Sequence, residues 1–188
     1  MKDPVYHAFL QTAAEDAAEI NRQSDVVRLF SHPLDGEPPF AYRGVLREVE
    51  HLERTPEGVR ATTNPILFRA YFPERYCRAF DGRLQFEVIA LATPVFHPNV
   101  RGGRVCLGPA FRGGTRLRAL MEQFYRIASA RVFAPAHAFD ADAQNYYLDH
   151  VDDIRRLRAP PLWRRPVATR ITVRSLDETH APSEGVQP

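Results

Sequence analysis

Lysine is almost missing from this 188-residue chain: Lys2 is the only one, against 24 arginines. Cysteine is nearly as scarce, with Cys77 and Cys106 alone. Two cysteines are too few for a disulfide scaffold and fit a reducing cytosol. No run of about 18 apolar residues occurs, so no transmembrane helix is available. The first residues, Met1-Lys2-Asp3-Pro4, lead into an acidic amphipathic stretch without the apolar core of a signal peptide. What is present suffices for one domain: 44% hydrophobic and 11% aromatic residues can fill an ordinary core. These features predict a cytoplasmic globular protein with no membrane partner.

Charge is segregated. Residues 155–174 hold seven arginines (Arg155, Arg156, Arg158, Arg164, Arg165, Arg170 and Arg174) and no acid, although the whole chain carries only +2. A second acid-free stretch, 101–118, contains Arg101, Arg104, Arg112, Arg116 and Arg118. Such patches can meet phosphates or an acidic protein face. In 155–174 only Trp163 offers a ring for stacking, so the signal is mainly electrostatic and no nucleic-acid partner is expected. Arginine in place of lysine is also what codon bias in a GC-rich genome produces.

Asp3-Pro4 reads as a helix cap and first-turn proline. Val5, Phe9, Ala13, Ala17, Ile20 and Val27 follow at helical spacing, which predicts a helix ending near Ser31-His32-Pro33. Strands are expected over 40–52, 59–63, 66–72 and 84–92, the last with Leu84, Phe86, Val88, Ala90 and Ala92 on one face. Residues 93–114 are irregular and rich in glycine and proline, a length that is usually functional. Leu117, Leu120, Met121, Phe124, Ile127 and Ala128 form one helical stripe. Asp140 caps another helix with Ala143, Tyr147, Val151 and Ile154 on one face. The order predicts an α+β fold: an N-terminal helix, an antiparallel meander of about four strands, a long loop and two C-terminal helices. Residues 1–158 are expected to form the domain and 159–188 an Arg/Pro-rich extension, with a short strand at 167–173 and disorder from 175.

Cys106 lies in the long loop, flanked by glycine and arginine. Nearby cations favour a thiolate and a loop can expose it, so Arg101 and Arg104 are expected to lower the thiol pKa if they lie close to it. The alternative is an inert buried cysteine. The loop reads His97-Pro98-Asn99, then Cys106 seven residues on in Val-Cys-Leu. With the order of elements around it, this resembles the active-site signature of ubiquitin-conjugating enzymes, strongly over about residues 84–151 and more weakly before them. The gap from asparagine to cysteine is one residue shorter than that family usually shows. The family's tryptophan after the cysteine is absent, with Phe111 in its neighbourhood.

The resemblance implies an acyltransferase without metal or cofactor. A ubiquitin-like modifier, activated by a separate ubiquitin-activating-type enzyme, would be held on Cys106 as a thioester and passed to an amine, usually lysine, of a protein target. Asn99 would stabilise the tetrahedral oxyanion, and His97 and Pro98 would shape the loop. His137 would stand at the gate as a possible base. The first helix would contact the activating enzyme, and Cys77 would be structural. Few lysines would then mean less self-modification. The departures and the arginine-rich composition look bacterial, which points to conjugation systems some of which serve antiphage defence. The rival from another class is a non-catalytic binding module on the same fold. A zinc site built from Cys77, His97, Cys106 and His137 lacks any CxxC or HxxxH pair, and a papain-type pairing of Cys106 with His137 lacks its local motif.

Overall fold

Asp3 caps the first helix, α1 (Pro4–Gln23), by accepting the Val5 N–H, with Pro4 in the first turn. The computed structural model describes residues 3–31, 37–78, 84–108, 111–133 and 138–164. The helix ends eight residues before its expected stop. The Ser24 hydroxyl accepts the Val26 and Val27 N–H groups and donates to the Leu162 carbonyl, which turns the chain out of the helix. Val27 therefore starts a strand, β1 (Val27–Phe30), whose alternation happened to match a helical stripe.

Strands β2 (Ala41–Leu46), β3 (His51–Thr55), β4 (Gly58–Thr62) and β5 (Ile66–Tyr71) follow. The single strand expected over 40–52 is two, because Glu48 takes a left-handed backbone conformation with φ 61°. That kink swings β3 and β4 out as a separate two-stranded sheet. Only Ile89–Leu91 of the expected 84–92 strand pairs, as β6, while Leu84–Phe86 forms a 3-10 turn. The long loop contains a hairpin, β7 (Val100–Arg101) and β8 (Arg104–Val105). The main sheet is six-stranded and antiparallel, in the order β1-β2-β5-β6-β8-β7.

Its inner face carries Val27, Leu29, Tyr42, Leu46, Ile66, Phe68, Ala70, Ile89 and Val105, all buried. They pack on α1 and α2 (Leu117–Ala128), where the Phe68 and Phe124 rings meet at 4.8 Å. Asp16 of α1, 4% exposed, is held by Arg116 and by the Arg118 N–H at the start of α2. The last expected helix breaks at His150 into α3 (Ala141–Asp149) and α4 (Val151–Arg156), giving three helices after the sheet among the described residues where two are expected. A second, smaller core joins Leu52, Phe96, Ala143, Tyr147, Ile154 and Leu157. The fold is α+β, with α1 and α2 on one face of the main sheet and α3 and α4 in the smaller core.

Residues 159–164 pack on this body. Leu162 is 7% exposed, Tyr125 donates to the Pro160 carbonyl, and Trp163 donates to Glu122. Four of the seven arginines in 155–174 are described, and each pairs with a carboxylate: Arg155 with Asp152, Arg156 with Asp153, Arg158 with Glu50 and Arg164 with Asp25. The part of that patch that is described is locally neutralised. The strand expected at 167–173 and the tail from 175 lie outside the described residues. No described helix is long and apolar enough to cross a membrane.

Candidate active site

The hairpin explains the spacing of Asn99 and Cys106. Gly102 and Gly103, both at positive φ (57° and 75°), make a two-residue turn. Arg101 then faces Arg104, and Val100 faces Val105. The next pair outward is Asn99 and Cys106, and the Cys106 N–H does bond the Asn99 carbonyl at 2.7 Å. A seven-residue separation is what a two-glycine hairpin requires to bring these side chains together. Gly103 has no room for a side chain: a Cβ there would lie 2.9 Å from the Leu91 carbonyl oxygen, whose own N–H bonds the Gly103 carbonyl at 2.7 Å.

His97-Pro98-Asn99 forms a turn closed by the Val100 N–H on the His97 carbonyl at 2.9 Å. His97 Nδ1 accepts the Asn99 N–H at 2.9 Å, which leaves the ring proton on Nε2. The ring stacks edge-on against Tyr147 at 5.0 Å, and complete burial pushes its pKa down to about 3. His97 is therefore a neutral, positioning group at ordinary pH. The Pro98 carbonyl accepts the Phe139 and Asp140 N–H groups at 2.7 and 3.0 Å, tying the loop to the segment before α3. Asp140 caps α3 through the Ala143 N–H.

Asn99 is 4% exposed and its Nδ2 donates to the Cys106 carbonyl at 3.2 Å. Its Oδ1, like His97 Nε2, is buried with no hydrogen-bond partner among the described residues. Buried polar atoms are rarely left unpaired, so this turn holds unused hydrogen-bonding capacity beside the thiol.

Cys106 corrects two expectations. It is not displayed by its loop, being only 4% exposed. Its pKa is raised by burial, with the Gly108 N–H and the Asn99 side chain partly offsetting the rise. Arg101 and Arg104 are not among the causes. Both are exposed and paired with each other in the hairpin.

One contributor was invisible in the sequence pattern. Gln85, inside the strand expected over 84–92, lies in the 3-10 turn instead; its carbonyl accepts the Leu107 N–H at 3.0 Å and its Oε1 sits 4.0 Å from Cys106 Sγ. Gln123 of α2 donates to the Leu107 carbonyl. Phe86 and Phe139 meet at 5.1 Å. The Gly-Gly pair between Val100-Arg101 and Arg104-Val105 is a hairpin signal that could have located the pairing.

The structure brings together His97, Pro98, Asn99 and Cys106. His137 lies outside the described residues. Cys77 ends a 3-10 turn (Glu74–Cys77) and packs partly buried on the main core. Among the described residues no cluster of three or more His, Cys, Asp or Glu could hold a metal. Compared with known proteins, the chain matches no family model and no curated protein.

Proposed function

We propose that the chain is an acyltransferase of the ubiquitin-conjugating type, with a fold of that kind, and that Cys106 carries a ubiquitin-like modifier as a thioester. The observation that carries this reading is the pairing of Asn99 with Cys106 across the base of the β7–β8 hairpin. In the first step the Cys106 thiolate attacks the activated carboxyl carbon of the modifier, and the activating enzyme's group leaves. In the second, an amine nitrogen attacks the thioester carbonyl, the tetrahedral oxyanion collapses, and the Cys106 thiolate is expelled. The amine proton passes to a base or to water, and His137 is the candidate for that base.

The Asn99 amide is a donor held on the Cys106 carbonyl at the base of the hairpin. Turned from the Cys106 carbonyl toward the oxyanion, it stabilises the transition state more than the ground state. His97 holds the Asn99 backbone through its N–H, and Pro98 anchors the turn to Phe139 and Asp140. Loading requires the thiol to become accessible, and the Gln85 side chain, 4.0 Å from Sγ, is one group beside it that can move. A pathway of bacterial conjugation, including antiphage defence, is consistent with the composition.

One observation favours the second reading, a binding module: the thiol is buried and its pKa is raised. The two readings separate when the protein is co-expressed with its gene neighbours and its intact mass is taken without reductant. An added small-protein mass that thiols remove supports transfer. An unmodified chain beside an active activating partner supports the module.

A further inference from the structure

The strands of the six-stranded sheet place no acid on its outer face. Its strands contain Arg28, Arg43, Arg69, Arg101 and Arg104 and no Asp or Glu. The register sets four of these in one row. Phe30 faces Arg43, Arg43 faces Arg69, Arg69 faces Ala90, Ala90 faces Arg104 and Arg104 faces Arg101. All six residues are exposed. From Arg43 to Arg101 the row crosses four inter-strand steps, roughly 19 Å at the usual spacing.

Two of those steps set arginine directly opposite arginine, which is unfavourable on a sheet. No described carboxylate forms an ion pair with Arg43, Arg69, Arg101 or Arg104, whereas Arg155, Arg156, Arg158 and Arg164 all have one. Apolar rings flank the row. Phe30 is 56% and Phe40 45% exposed, and the Tyr71 ring meets Phe40 at 6.0 Å and the Arg69 guanidinium at 5.2 Å.

A like-charged row without acids is relieved by a partner bearing several negative charges along a line. Exposed rings beside such a row provide faces on which bases stack. Phosphates in line on the arginines with bases on the rings use both features at once. We propose that this face binds single-stranded nucleic acid, with phosphates along Arg43, Arg69, Arg104 and Arg101 and bases on Phe30 and the Phe40–Tyr71 pair. The row shares the β7–β8 hairpin with Cys106 but does not use the thiol, and its strands are too far apart in sequence for it to show as a charge run. The expectation of no nucleic-acid partner rested on residues 155–174, a different surface.

The test is fluorescence anisotropy of labelled oligothymidylate and oligouridylate of about 16 nucleotides, read across a salt series. The full chain binds at low salt. Replacing Arg43, Arg69 and Arg104 together by alanine weakens binding at least about tenfold and makes the log–log salt slope shallower by about 2. Phe30→Ala weakens it by about tenfold at unchanged slope. Arg155→Ala/Arg156→Ala and Cys106→Ala bind as the parent does, and thermal melting confirms that each variant folds. Absence of binding by the parent at low salt overturns the proposal. So does binding unmoved by the triple variant, equal binding of a duplex of the same length, or capture of anionic vesicles with no capture of the oligonucleotides.

Discussion

Cys77 and Cys106 are both thiols pushed up by burial, and what opposes that push differs. At Cys77 the remaining influences are side-chain charges: Asp3 raises the pKa further and Arg78 lowers it. At Cys106 they are hydrogen-bond donors, the Gly108 N–H and the side chain of Asn99. Cys77 is also the more exposed of the two. For Cys106 as the proposed acyl carrier, the distinguishing feature is neither exposure nor neighbouring arginines but hydrogen-bond donors that favour negative charge on sulfur.

The sharpest way to break that contrast is to remove the donor. Asn99→Ala should slow discharge of a preloaded thioester to free lysine by about 100-fold, a loss typical of one oxyanion donor, measured by single-turnover kinetics. Equal rates would reduce Asn99 to a loop brace. The hairpin that aligns the pair gives the next effect. Gly103→Ala combines a positive φ with a Cβ 2.9 Å from the Leu91 carbonyl oxygen, and should cost about 2 kcal/mol in denaturant unfolding. Gly102→Asn, at φ 57° in open space, should change stability by less than about 0.5 kcal/mol, since Asn-Gly suits such a turn.

His97 adds a pH effect. Its folded pKa of about 3 lies below the ordinary 6.5, so the unfolded chain binds the extra proton. Its contribution is fully present above about pH 6.5 and is lost as pH falls toward 3, at up to about 1.4 kcal/mol per pH unit. Thermal melts of His97→Asn should show a flatter acid limb than the parent; identical limbs would contradict the buried neutral ring. The smallest effect is in the unloaded protein. Iodoacetamide should modify Cys77 several-fold faster than Cys106, read by peptide mass spectrometry.

Local signals were legible in the sequence and long-range ones were not. The Asp3-Pro4 start, the apolar stripe from Leu117 to Ala128 and the Asp140 cap depend on residues within a turn or two, and they stand as expected. Val27 fitted a helical period, but Ser24 ends the helix with help from Leu162, far along the chain. The strand over 40–52 gave no sign of the left-handed Glu48 that splits it. His97, Pro98, Asn99 and Cys106 stand out in the sequence through the family resemblance that their motif and spacing carry. The hairpin that explains the spacing was hidden inside a stretch read as irregular. Gln85 reaches Cys106 only because a 3-10 turn replaces strand, and the arginine row exists only through cross-strand register.

The central claim is that Cys106 accepts an acyl group. Its most direct test is intact-mass spectrometry of Cys106→Ser protein co-expressed with its gene neighbours, since serine traps the group as a more stable oxyester. The account predicts an added small-protein mass on Cys106→Ser and on Cys77→Ser/Cys106→Ser, and none on Cys106→Ala. No adduct on Cys106→Ser with an active activating partner present, or an adduct that survives in Cys106→Ala, would contradict it.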